Sequence, residues 1–278
     1  MKRFEGRNAI VTGASRGIGR GIAKRLAAEG ANVAITARTL DTHPTLPGSL
    51  NETLAELNTH PGTHLAIQAD LGDADSRAAI VPQAREALGP IDILVNNAAA
   101  AIYQPMNGYS LKRRRLMLEV NLLAPHDLIE AVLPDMESAG EGWIVNLSSA
   151  TAKLAIGPPF PADGVKGVFG FYGTTKAALN RMTSAWAVEL HPLNIRINTI
   201  EPLAAVLSEG ADELVGNILR PDQIESMEAM VEAAVALCDC PIDRCGQVLS
   251  SLPLLDELNR TVMTLDATAP YPGGHRPA

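Results

Sequence analysis

Apolar positions along the chain follow two alternating rhythms. Short apolar runs of β-forming residues are each followed by stretches in which apolar residues recur every three or four positions. The first run, Ala9 to Val11, leads into Thr12-Gly13-Ala14-Ser15-Arg16-Gly17-Ile18-Gly19, and Ile18, Ile22 and Leu26 then recur at helical spacing. Further strands are predicted at 32–37, 64–69, 91–95, 142–147 and 195–200, and a last one near 246–250. Helices are predicted at 17–29, 49–58, 73–88, 110–139 (broken near Pro125), 172–190, 208–219 and 222–237. Strands alternating with helices predict an α/β fold. It is a doubly wound parallel sheet of about seven strands with helices on both faces. No linker divides the chain before about residue 262, so residues 1–261 read as one domain and 262–278 as a Pro/Gly-rich tail, loose or draped over a neighbour.

Composition narrows the class. The 278 residues are 46% hydrophobic and 19% charged, which is globular rather than disordered. A net charge of −8 argues against a broad nucleic-acid footprint. No apolar run approaches the roughly 20 residues a membrane span needs. The N-terminus passes straight into the first strand without a signal-peptide core, so the expected location is cytoplasmic. Cys238, Cys240 and Cys245 are odd in number and lack a metal-ligand spacing, so they read as reduced thiols and no metal is expected. The basic run Lys112-Arg113-Arg114-Arg115 reads as a solvated or intersubunit face of the long helix.

Two stretches carry chemistry. A strand, a glycine turn and a helix start form a phosphate cradle, because the first helical N–H groups have no internal partner and glycine lets the backbone approach closely. The spacing here is G-x-x-x-G-x-G. Tyr172 and Lys176, four apart, share a helix face. An ammonium beside a phenol favours the phenolate, so the Tyr172 pKa is expected to fall toward working pH, where it can give or take a proton. Arg38, Asp70, Asn97 and Ser149 all stand at predicted strand ends, where such sheets bind ligands.

Taken together, Thr12 to Gly19, Asn96-Asn97-Ala98, Asn121, Ser149 and Tyr172-x-x-x-Lys176 resemble the short-chain dehydrogenase/reductase family, over about residues 5–250. The resemblance implies a Rossmann fold and an oxidoreductase that interconverts a ketone or aldehyde and an alcohol. It implies Tyr172 as general acid/base, Lys176 as the residue that tunes it and holds the nicotinamide ribose, Ser149 as the hydrogen-bond partner of the reacting oxygen, and Asn121 as the anchor of a relay water. It also implies cofactor contacts at Gly13, Ser15, Arg16, Gly17, Ile18, Gly19, Asp70, Leu71, Asn97, Ala98 and Pro202, and a homotetramer or homodimer.

Cofactor choice follows from charge. NAD sites place a carboxylate at the end of the second strand. Here that place reads Thr36-Ala37-Arg38, with no acid before Asp41. Arg38, helped by Arg16, can pair with a 2′-phosphate, so NADP(H) is expected, with NAD(H) possible. Three positions depart from the family pattern. Ala99 replaces a glycine, Ser149 and Tyr172 are 23 residues apart rather than about a dozen, and Pro202-Leu203 stands where Pro-Gly is usual. The surplus residues within 153–170 predict a longer loop at the substrate mouth. Ile102, Tyr103, Leu154, Phe160, Phe169 and Leu203 predict a mainly apolar pocket for a small-molecule carbonyl or alcohol. Two alternatives stay open: an NAD-dependent alcohol dehydrogenase, and a non-catalytic NADP(H)-binding sensor or scaffold.

Overall fold

The computed structural model describes residues 2–160, 168–209 and 223–274. Its centre is a seven-stranded sheet in the order β3-β2-β1-β4-β5-β6-β7, with every pairing parallel. The strands are β1 (Asn8–Thr12), β2 (Asn32–Ala37), β3 (His64–Gln68), β4 (Ile93–Asn96), β5 (Gly142–Leu147), β6 (Ile195–Glu201) and β7 (Val248–Ser250). The helices between them are α1 (Gly17–Ala28), α2 (Leu50–Leu57), α3 (Ala74–Ala78), α4 (Ile80–Leu88), α5 (Leu111–Leu118), α6 (Ala124–Ala139), α7 (Gly170–Leu190), α8 (Met227–Ala236) and α9 (Ser251–Glu257).

The near-continuous apolar runs of the strands are explained by burial on both faces. Successive side chains point to opposite sides, so one strand feeds two cores. Ala9, Val11, Ile93 and Val95 join a core with α1, α2, α8 and α9. Ile10, Leu94 and Ile144 join a second core with α4, α6 and α7.

The β2 and β5 boundaries match those read from the pattern, and the others fall within a few residues. Three elements differ. The expected helix over 73–88 is two helices, because Asp73 caps α3 and the chain re-starts at Ile80. The break in the 110–139 stretch is a π-helical turn at Glu119–Leu123 rather than a kink at Pro125. Pro125 lies in the first turn of α6, where its missing N–H costs no helical bond. Helix α9 was not read from the sequence. The expected helix over 208–219 lies almost wholly outside the described residues, as do residues 161–167 of the long loop and residues 275–278.

The tail is not loose where it is described. Val262 is buried in the first core, and Leu265 and Tyr271 pack against it. Tyr271 N donates to the Val262 carbonyl at 2.8 Å, closing the tail on itself. Apolar residues within a Pro/Gly-rich stretch outweigh its loop-like composition.

Candidate active site

The glycine turn after β1 is held by the loop after β4. Thr12 Oγ1 accepts the amides of Asn97 and Ala98, each at 3.0 Å. Asn97 Nδ2 returns bonds to the carbonyls of Thr12 (2.8 Å) and Gly13 (3.1 Å). Gly13 has a φ of +67°, and a Cβ on it would stand 2.8 Å from Ala98 Cα. Glycine is therefore required there for both conformation and space. A Cβ on Gly19 would stand 2.5 Å from the Gly13 carbonyl, so that glycine lets α1 pack onto the turn.

Gly17 opens α1, and its N–H donates to the carboxylate of Glu209 at 3.0 Å. The helix start therefore already holds an anion, as expected of a positive helix end with unpaired N–H groups. This donor set fits the phosphates of a dinucleotide, which would take the place of the Glu209 carboxylate.

At the end of β2, Arg38 is exposed and its side chain forms no ion pair among the described residues. It lines a cleft of about 480 Å³ with Thr39, Asp41, Thr42, His43 and Gln68. Asp41 is occupied, accepting from Asn51 Nδ2 at 2.6 Å. Arg16, expected to help Arg38, does not line this cleft. Its guanidinium donates to the carbonyls of Pro47 (2.9 Å) and Gly48 (2.8 Å), pinning the loop after β2 against the glycine turn. Asp70 accepts from the amide of Gly72 at 2.9 Å, and the Leu71 carbonyl accepts from Arg77.

Two strands away, four side chains named from the sequence come together. Tyr172 lies in the first turn of α7 and Lys176 one turn on, and both are buried. Lys176 Nζ donates to the Leu147 carbonyl at 2.7 Å and stands 5.8 Å from the Tyr172 ring centre. Ser149, just past β5, hydrogen-bonds Tyr172 and accepts from Thr151 Oγ1 at 2.9 Å. Ser148 Oγ, by contrast, is buried with no partner among the described residues. Asn121 sits in the π-turn, fully buried. It accepts from Ala100 N at 2.7 Å and donates to Ala100 O at 3.0 Å and Thr175 Oγ1 at 2.9 Å. A π-turn re-aims one residue without ending the helix, which places this amide between α7 and the loop after β4.

The electrostatics correct one expectation. Burial drives the Tyr172 phenol well above its usual value, Tyr103 adds to the rise, and the Ser149 hydrogen bond opposes it. The phenol is not lowered by Lys176, whose head is turned to the Leu147 carbonyl. Burial also pushes Lys176 down to about 8. Water exclusion therefore dominates both groups and favours their neutral forms.

Tyr103 and Phe169, read from the sequence as pocket lining, meet the cluster: Tyr103 packs edge-on against both Tyr172 (5.5 Å between ring centres) and Phe169 (4.7 Å). Thr175 had no sequence signal. Thr175 joins Asn121 to the Tyr172 carbonyl, which it reaches at 2.7 Å. Pro202 follows β6 directly, beside β5 in the sheet. Cys238 and Cys240 are buried, and burial raises both thiols, Cys240 to about 12, which leaves them unreactive.

A family model described as short chain dehydrogenase matches residues 7–214. Hydroxysteroid dehydrogenase-like protein 2 of Danio rerio is 31% identical over 271 residues, which is 98% of this chain and 62% of that protein. The chain thus spans less than two thirds of the length of this relative. The crystal structure of a short chain dehydrogenase from Mycobacterium thermoresistibile superposes with a TM-score of 0.81 at 28% identity, covering 98% of this chain and 93% of that one. A 3-oxoacyl (acyl-carrier-protein) reductase from Agrobacterium tumefaciens C58, crystallised with NADP bound, gives 0.73 at 29% identity over 89% of this chain and 93% of that one. No helix among the described residues is long and apolar enough to cross a membrane.

Proposed function

The chain belongs to the short-chain dehydrogenase family, and we propose that its oxidoreductase chemistry is the NADP(H)-dependent interconversion of an apolar ketone or aldehyde and the corresponding alcohol. The observation that carries this reading is the convergence of Ser149, Tyr172 and Lys176 at the carboxyl ends of β5 and β6, beside an anion-holding glycine turn.

When bound, NADP(H) gives or takes the hydride. The Gly13–Gly19 turn would hold its phosphates, Arg38 its 2′-phosphate, and Asp70, Leu71, Asn97, Ala98 and Pro202 would line its length. NADP(H) over NAD(H) is supported by the open Arg38 guanidinium at the end of β2, where no carboxylate stands directly after the strand to take a ribose 2′-hydroxyl.

Tyr172 acts as the proton donor to the carbonyl oxygen in reduction. Its raised pKa keeps the phenol protonated at neutral pH, which suits an acid better than a base. Ser149 would donate to the same oxygen, since its Oγ accepts from Thr151 N and Oγ1 and its own proton is turned toward Tyr172. Lys176, still largely an ammonium at pH 7 and held by the Leu147 carbonyl, would hold the nicotinamide ribose beside Tyr172. Asn121 fixes α7 against the loop after β4 and anchors the proton supply.

The substrate side supports an apolar molecule. Tyr103 walls Tyr172, while Leu154, Ile156 and Phe160 stand 87%, 85% and 64% exposed on the loop after Ser149. Exposed apolar groups beside a polar reacting pair suit a ligand with a bulky carbon framework. The reading is tested by following NADPH oxidation with a panel of aliphatic, cyclic and aryl ketones. Turnover of the apolar members supports it, and cofactor binding without turnover of any member would instead favour a sensor.

A further inference from the structure

The segment after β6 spans the crevice. It starts beside the reacting cluster, where Ser148 N donates to the Ile200 carbonyl at 2.8 Å. It ends at the glycine turn, where Ser208 lies so close that a Cβ on Gly17 would stand 2.9 Å from Ser208 Cβ.

The near end of this segment is fixed by one buried carboxylate. Glu225, 2% exposed, precedes the N-cap of α8. Its Oε2 accepts from the amides of Leu203 (3.0 Å) and Ala204 (3.1 Å). Ser251, fully buried at the start of α9, donates to both carboxylate oxygens at 2.7 and 2.9 Å and accepts from Leu203 N at 3.1 Å. Backbone pairing extends the clamp, with Ala205 N on the Gln223 carbonyl at 2.7 Å and Glu225 N on the Ala205 carbonyl at 2.9 Å.

Peptide planes are rigid, with N–H and C=O on opposite edges. Turning the Leu203 and Ala204 N–H groups inward therefore turns the Pro202 and Leu203 carbonyls the other way, away from Glu225. In this chain Leu203 carries a side chain that limits its backbone freedom, so the orientation is imposed from outside by the carboxylate.

We propose that Glu225, with Ser251, is a positioning residue for the cofactor: it sets the backbone after β6 that borders the nicotinamide half of the site and acts on that half alone. The inference rests on the NADP(H) reading above. The adenosine half would be held three and more strands away, at the ends of β1 and β2, and the clamp's hydrogen bonds stop at Ala205, before the segment reaches the glycine turn.

The test compares two probes by calorimetry, NADPH and adenosine 2′,5′-bisphosphate, which keeps only the adenosine half. Glu225→Gln keeps the shape and one acceptor oxygen but removes the negative charge that the two amides share. It is expected to weaken NADPH by about tenfold, on the scale of one charged hydrogen bond, and to leave the bisphosphate within about twofold. The KM for NADPH rises with it. Ser251→Ala is expected to show the same selectivity with a smaller loss, and carries the test if Glu225→Gln does not fold. Equal weakening of both probes, or no change in either, overturns the proposal. Failure of the wild type to bind both probes overturns the cofactor reading itself.

Discussion

The ammonium of Lys176 lies 5.8 Å from the centre of the Tyr172 ring, and its hydrogen bond goes not to the phenol but to the carbonyl of Leu147. The last residue of β5, two before Ser149, thus holds the lysine in place beside the tyrosine. Backbone and side chain of one β5 terminus organise both partners of the pair.

That burial makes Lys176 a pH-dependent liability. Folded, it holds its proton only to about 8, against 10.5 for an ordinary lysine. Between these values the unfolded chain binds more protons, so stability rises with pH across the window and falls as pH drops through 8. Lys176→Met removes the term. Denaturant unfolding of both proteins at pH 7.5 and pH 10 is expected to show wild type gaining on the variant at the higher pH. The ceiling is about 3 kcal/mol.

Arg38 faces the cleft at the end of β2 and forms no ion pair among the described residues. Arg38→Asp replaces a phosphate partner with a ribose-hydroxyl partner. The ratio of kcat/KM for NADPH over NADH is expected to fall by about 100-fold or more, on the scale of one lost charged pair and one new repulsion. An unchanged ratio in steady-state kinetics would remove Arg38 from the cofactor site.

Glu209 sits on the Gly17 amide at 3.0 Å, where the proposed reading places a cofactor phosphate. Glu209→Gln removes the competing charge. Its dissociation constant for NADPH is expected to drop by about three- to tenfold, a helix-terminus effect of about 1 kcal/mol. Fluorescence titration reads this directly, and the gain should shrink at high salt.

The sheet was legible because its signals are local. Apolar runs flanked by helical spacing located each strand, and the boundaries at Asn32–Ala37 and Gly142–Leu147 matched. The candidate site was legible as spacing: Tyr172 and Lys176 share one face of α7, and Ser149 follows β5 by two residues. Contacts between distant segments were not. Glu225 meets Leu203 across 22 residues and Ser251 across 26, and no periodicity marks such a pairing. Sign was also hidden. The spacing of Tyr172 and Lys176 suggested a lowered phenol, but how deeply a side chain is buried is a property of the whole packing, and here it reverses the direction. The π-turn at Asn121 was misplaced at Pro125 because proline is the louder signal, although it sits harmlessly in a first turn.

The central claim is that Tyr172 gives the proton. Its most direct measurement is NADPH oxidation with an apolar ketone by wild type and Tyr172→Phe, paired with NADPH binding by both. The account predicts a loss in kcat of about 10²–10⁴ in the variant, the scale of a lost general acid, with the dissociation constant for NADPH within about twofold. Equal turnover by the two proteins would contradict it.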